Sequence, residues 1–173
     1  MQDNHAVKFG VLAGLGTIIF LFLFYWIDKK LILSPEIIWS TMFLYLLGMY
    51  MAPVEERKEN GGYLDFKPAL RAAFIVWIVA NSIYHLFNYI LYNFLDKEML
   101  NVQQQYMRDN MNTVEGFVSP ENYELLVANI EQMNYNFVTV FTAYISSLIW
   151  GFILAAIIGR MVRRKPISMG GGQ

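Results

Sequence analysis

Four long apolar runs separated by polar connections organise the chain. A bilayer core about 30 Å thick needs roughly 20 predominantly apolar residues to be crossed by a helix. Residues 7–27 meet that condition with Lys8 as their only charge, and residues 37–54 are shorter but uncharged. Residues 69–95 carry Arg71 at their mouth, and residues 137–159 are again uncharged. A soluble bundle would need a charged face on each helix, and these runs have none. The pattern therefore predicts an all-α integral membrane four-helix bundle forming a single domain over residues 1–165. Lys8 before an apolar run resembles a secretory leader, but "FYWIDKK" lacks a small-residue cleavage pattern, so the run is read as a retained first span.

The polar connections set an expected orientation. Four spans place the N-terminus, the turn between spans two and three and the C-terminal end on one face, which holds Lys8, Arg57, Lys58, Lys67, Arg71, Arg160, Arg163, Arg164 and Lys165. The opposite face holds only Lys29, Lys30, Lys97 and Arg108. The excess of Lys and Arg on the first face assigns both termini to the cytoplasm. In the "EERKENGGYLDFKPALRAAF" turn, Pro53 is expected to end span two. Gly61 and Gly62 allow backbone angles closed to other residues, and Pro68 suits a first helical turn. Tyr63 and Phe66 fall at headgroup level, and Arg71 is near enough to the boundary to snorkel. On the other face Trp26, Trp39, Tyr89, Tyr92, Phe94 and Tyr135 mark an interfacial aromatic belt.

Residues 96–136 form the one long hydrophilic segment. Met99, Val102 and Tyr106 recur at helical spacing, and Ser119 followed by Pro120 is a helix start signal. Spans three and four are expected to continue outward as an acidic helical hairpin turning near Gly116, with net charge −5 over 96–136. The most economical reading of that hairpin is a solvated extension; a surface for docking a membrane or envelope protein is the alternative. Residues 166–173 read as a disordered tail.

Composition narrows the chemistry. Only 16% of residues are charged, below the roughly 25% of soluble domains, in keeping with lipid bilayer as the principal partner. A net charge of −1 argues against nucleic acid, which demands a basic excess. The absence of cysteine excludes disulfides, thiolate metal sites and cysteine nucleophiles.

Two patterns inside the spans are candidate functional features. Small residues recur every fourth position at Ala143, Ser147, Gly151, Ala155 and Gly159, and similarly at Ala6, Gly10 and Gly14. Such rows let helix backbones approach closely, and internal packing is favoured here over an oligomer interface. Asn81, His85, Asn88 and Tyr92 share one face of span three. At ~1.5 Å per residue, His85 lies about 25 Å from Pro68, in the external half of the membrane. Thr139, Thr142 and Ser146 of span four reach similar depth, which suggests a hydrogen-bonded layer between the two spans. Structural glue is the favoured role, with a ligand, ion or proton role for His85 as the alternative. No metal or cofactor is expected, because His85 has neither a second buried His nor a buried carboxylate. Enzyme signatures are likewise not expected: Gly14–Gly16 follow no strand, and a Ser146–His85 pair has no carboxylate to orient it.

The order of these features resembles a known family. A glycine-bearing first span, "RKENGGYLDFKPALRAAF", "IYHLFNYILYNFLD", "VSPENYE" and "SSLIWGFILAAIIGRMVRRK" are similar to a bacterial family of four-span inner-membrane proteins known only as a domain of unknown function. The resemblance covers about residues 7–165. It implies an all-helical protein of the bacterial cytoplasmic membrane and transfers no catalytic residue. Three functions compete: a non-enzymatic accessory or assembly component, a small transporter or channel subunit using the polar layer, and, least favoured, a lipid-modifying enzyme with a headgroup-level pocket.

Overall fold

The computed structural model describes residues 3–111 and 117–164. Gly116, at the centre of the expected turn, together with Lys165 and the expected tail at 166–173, lies outside the described residues. Among the described residues six α-helices follow in order: α1 (Asp3–Ile27), α2 (Pro35–Glu59), α3 (Phe66–Ile90), α4 (Met99–Met111), α5 (Pro120–Glu131) and α6 (Phe137–Val162). A short 3-10 turn, Leu31–Leu33, links α1 to α2, and a π-helical turn, Leu91–Leu95, extends α3. Helices α1, α2, α3 with its π turn, and α6 are long and apolar enough to cross a membrane.

Helix α3 is the centre of the bundle, packing most extensively against α1 and α6. Between helices in lipid, hydrocarbon tails compete equally for apolar surface, so close approach of backbones carries much of the association. Glycines create that approach. A Cβ on Gly10 would stand 2.7 Å from the Val79 Cβ, and one on Gly14 would stand 3.0 Å from the Ile83 Cβ. On the far side of α3, a Cβ on Gly159 would stand 2.9 Å from the Leu70 backbone nitrogen, and one on Gly151 would overlap the Trp77 indole. Met49, Ala52, Ala73, Val76, Ala80 and Ala155 fill the core, with the Tyr45 and Trp77 rings edge-on at 5.3 Å. The outward faces are apolar too: Ile149 and Trp150 are 67% and 68% exposed. Hydrocarbon tolerates such contiguous apolar surface, and water does not.

One expectation about an element end is corrected. Pro53 does not end the second helix; it is buried within α2, which continues to Glu59. A proline inside a helix costs one backbone hydrogen bond, and membrane helices accommodate this where neighbours re-satisfy the freed groups. The polar segment expected as an outward hairpin carries α4 and α5, each set off from its neighbouring span by a short break. The π turn closes with an Asp96 N–H to Leu91 carbonyl bond of 2.8 Å, and the chain breaks before α4. Residues 132–136 interrupt the passage from α5 to α6.

The α2–α3 turn is clamped to the end of α6. Gly61 and Gly62 adopt φ of 68° and 90°, left-handed angles that glycine enters without penalty. The turn then brings Leu64 beside Arg164, where the two residues exchange backbone hydrogen bonds of 2.9 Å each. Arg57 Nη1 donates to the Val162 carbonyl at 3.0 Å, satisfying an orphan acceptor in the last turn of α6.

Candidate functional site at the α3–α6 cleft

Toward the α3–α4 end of the bundle, α3 and α6 part around His85, and the residues singled out from sequence divide between the two sides. Asn81 is buried and donates from Nδ2 to the Ser147 hydroxyl, which itself donates to the Tyr144 carbonyl at 2.5 Å. The side chain linking α6 to Asn81 is thus Ser147, from the small-residue row. Thr142 and Ser146 are exposed. Thr139 donates from Oγ1 to the Asn134 side chain at 2.8 Å, and its backbone N–H is capped by Asn136 at 2.9 Å. Asn88 turns its amide back to the Tyr84 carbonyl at 3.1 Å. In the row itself Gly151, Ala155 and Gly159 are buried, whereas Ala143 is exposed.

His85 stands edge-on to two tyrosine rings, Tyr84 at 5.4 Å and Tyr144 at 5.8 Å, and is hydrogen-bonded to no other described residue. Two cavities meet at this side chain. An inner one of about 320 Å³ lies among α1, α3, α6 and the α4–α5 layer, with His85, Asn88, Gln103, Asn134 and Thr139 among its polar lining. An outer one of about 290 Å³ lies between α3 and α6 and is walled by Leu86, Tyr89, Phe137, Phe141 and Tyr144. His85 and Val140 border both.

The floor of the inner cavity is a hydrogen-bonded aromatic pair. Tyr92 and Tyr135 stack at 3.7 Å with planes 9° apart, and both hydroxyls donate to Gln103 Oε1, at 2.6 and 2.9 Å. Asn93 Nδ2 donates to the Tyr135 carbonyl at 2.8 Å. Gln104 Nε2 donates to the Ile130 carbonyl at 3.1 Å, tying α4 to α5. Sequence reading placed Tyr92 and Tyr135 at an interface but not against each other; their separation by 43 positions left no local signal.

A second polar knot fastens α1 to the end of the π turn. The Tyr25 hydroxyl donates to Asp96 Oδ2 at 2.6 Å, and Lys29 Nζ lies 2.5 Å from the same oxygen. The Lys29 ammonium, and then the Tyr25 hydroxyl, hold the Asp96 carboxyl below the usual carboxylate range. The carboxylate in turn raises Lys29. Sequence spacing offered no indication of this triad, because its members come from segments that meet only through the α1–α3 packing.

Searches of curated proteins and of solved structures found no match. A family model described as "Protein of unknown function (DUF4199)" matches residues 8–164.

Proposed function

The chain belongs to the DUF4199 family, and from that premise we propose that it is a non-enzymatic protein of the bacterial inner membrane, an accessory or assembly component with both termini cytoplasmic. Helices α4 and α5 lie on the external side in this reading. It is carried by how the polar groups are used: Arg57 with Val162 and Leu64 with Arg164 fasten one end, and Tyr25, Lys29 and Asp96 fasten the other. These groups serve helix assembly, while an acidic layer is left to meet other envelope proteins. Gentle-detergent purification from native membranes, followed by size analysis and mass spectrometry, tests the proposal. A reproducible stoichiometric partner is expected, and a solitary monomer would count against it.

A second reading is a small transporter or channel subunit, favoured by the cavity of about 320 Å³ beside His85, whose largely apolar wall includes Asn88, Gln103, Asn134 and Thr139. Flux assays in liposomes test it: substitution of His85 alters solute flux if this reading holds, and unchanged flux removes its support.

A further inference from the structure

We propose that the paired cavities at His85 form one binding site for a lipid-like amphiphile whose head carries an oxygen acceptor. The inference rests on the membrane reading of the four helices and requires neither partner assembly nor transport.

The two compartments differ in chemistry as an amphiphile's two ends do. The outer cavity is bounded almost wholly by apolar surface from Leu86, Tyr89, Phe137 and Phe141. Leu86, Phe137 and Phe141 are also exposed on the bundle's flank, where a hydrocarbon chain can enter sideways from the bilayer. The inner cavity is also largely apolar but holds most of the polar surface, and His85 with Val140 forms the boundary between the two. Ligand sites combine an apolar wall with few well-placed polar groups in this manner.

The free hydrogen-bonding capacity favours an acceptor on the ligand. Gln103 Oε1 already accepts from both tyrosines. Its Nε2 donors are bonded to no described residue, and neither is the His85 ring. A neutral imidazole offers one N–H and an amide offers two, so a carboxyl or ester oxygen entering past Val140 meets donors on two sides. The His85 ring lies within the third span and Gln103 on α4 at its outer end, so an oxygen-bearing head group at that boundary would give a partner to both. The rigid Tyr92–Tyr135 stack beneath keeps Gln103 in position.

The test uses the full chain in detergent micelles with a photoreactive, alkyne-tagged palmitic acid analogue. Saturable labelling is expected, mapping to residues 82–89 and 137–144. Unlabelled palmitic acid should compete, and an alkane of equal length should not. His85→Leu should weaken labelling about threefold to tenfold, the value of one or two hydrogen bonds, while Ile157→Ala on the exposed face of α6 leaves it unchanged. Labelling that does not saturate, that spreads along Ile149–Ile157, or that the alkane competes equally would overturn the proposal, as bulk lipid contact explains each. Mapping on the unaltered chain decides between these outcomes even if His85→Leu fails to fold. Detergent phase separation reports the underlying membrane reading independently: a chain found in the aqueous phase refutes that reading, whereas failed labelling of a detergent-phase chain refutes only the site.

Discussion

The Trp77 indole occupies the space that a side chain on Gly151 would require. The contact lies midway along the α3–α6 interface, where Trp77 is buried and its ring also meets Tyr45 edge-on. Gly151→Val should therefore destabilise the bundle by at least about 1–3 kcal/mol, the range for overpacked cores. Ala143→Leu, in the same row but exposed, should change stability by less than about 0.5 kcal/mol. Thermal unfolding in one detergent compares the two, and equal effects would refute the close-approach account.

Asn81 and Ser147 supply the side-chain hydrogen bond between α3 and α6 within the buried part of the interface. A double-mutant cycle on Asn81→Ala and Ser147→Ala should give a coupling of about 0.6 kcal/mol, the average for such bonds in membrane bundles. Ser146→Ala, on the exposed neighbour, should show no coupling to Asn81.

These two predictions also show what sequence could and could not supply. Hydropathy alone located the four helices long and apolar enough to cross a membrane, because a spanning helix has no polar face to hide. The small-residue row was equally legible as a packing face, although the helix it packs against was not. It was the Thr139, Thr142 and Ser146 stripe that was read as facing α3, yet Ser146 lies about 100° around the helix from Ser147. Both rows cannot point inward, and the Trp77 indole against Gly151 and the Leu70 backbone against Gly159 select the one that does. Pro53 misled because a local stop signal yields where packing holds the helix on either side. The Tyr92–Tyr135–Gln103 and Tyr25–Lys29–Asp96 groups were not legible, since each joins side chains brought together only by the tertiary fold.

Acid should weaken the α1–α3 fastening. The folded Asp96 carboxyl titrates below its unfolded value of about 3.9. Its stabilisation is therefore present above about pH 4 and lost as pH falls through the folded value. Lys29 is raised instead, so its share holds below about pH 10.4 and is lost as pH rises through its folded value. Melting curves at pH 7 and pH 3 should show a smaller acid-induced loss for Asp96→Asn than for the unaltered chain. Identical losses would contradict the ion pair's role.

Arg57 should protect the end of α6. Removing its bond to the Val162 carbonyl by Arg57→Ala should cost about 1.5–3 kcal/mol, as for hydrogen bonds made by charged groups. Hydrogen exchange should quicken at the Arg164 amide, which bonds Leu64 next to this clamp, and stay unchanged at amides in the middle of α6. A uniform increase along α6 would mean that the clamp is not local.

Cysteine accessibility in intact cells tests the central claim, a four-helix membrane bundle with both termini in the cytoplasm, most directly. The chain has no cysteine of its own, so a single introduced thiol reports one position without background. Asn101→Cys, exposed on α4, should react with a membrane-impermeant maleimide in intact cells. Asn60→Cys, exposed at the end of α2, should react only after the inner membrane is permeabilised. The reverse pattern would contradict the orientation, and equal labelling of both sites in intact cells would contradict the transmembrane arrangement itself.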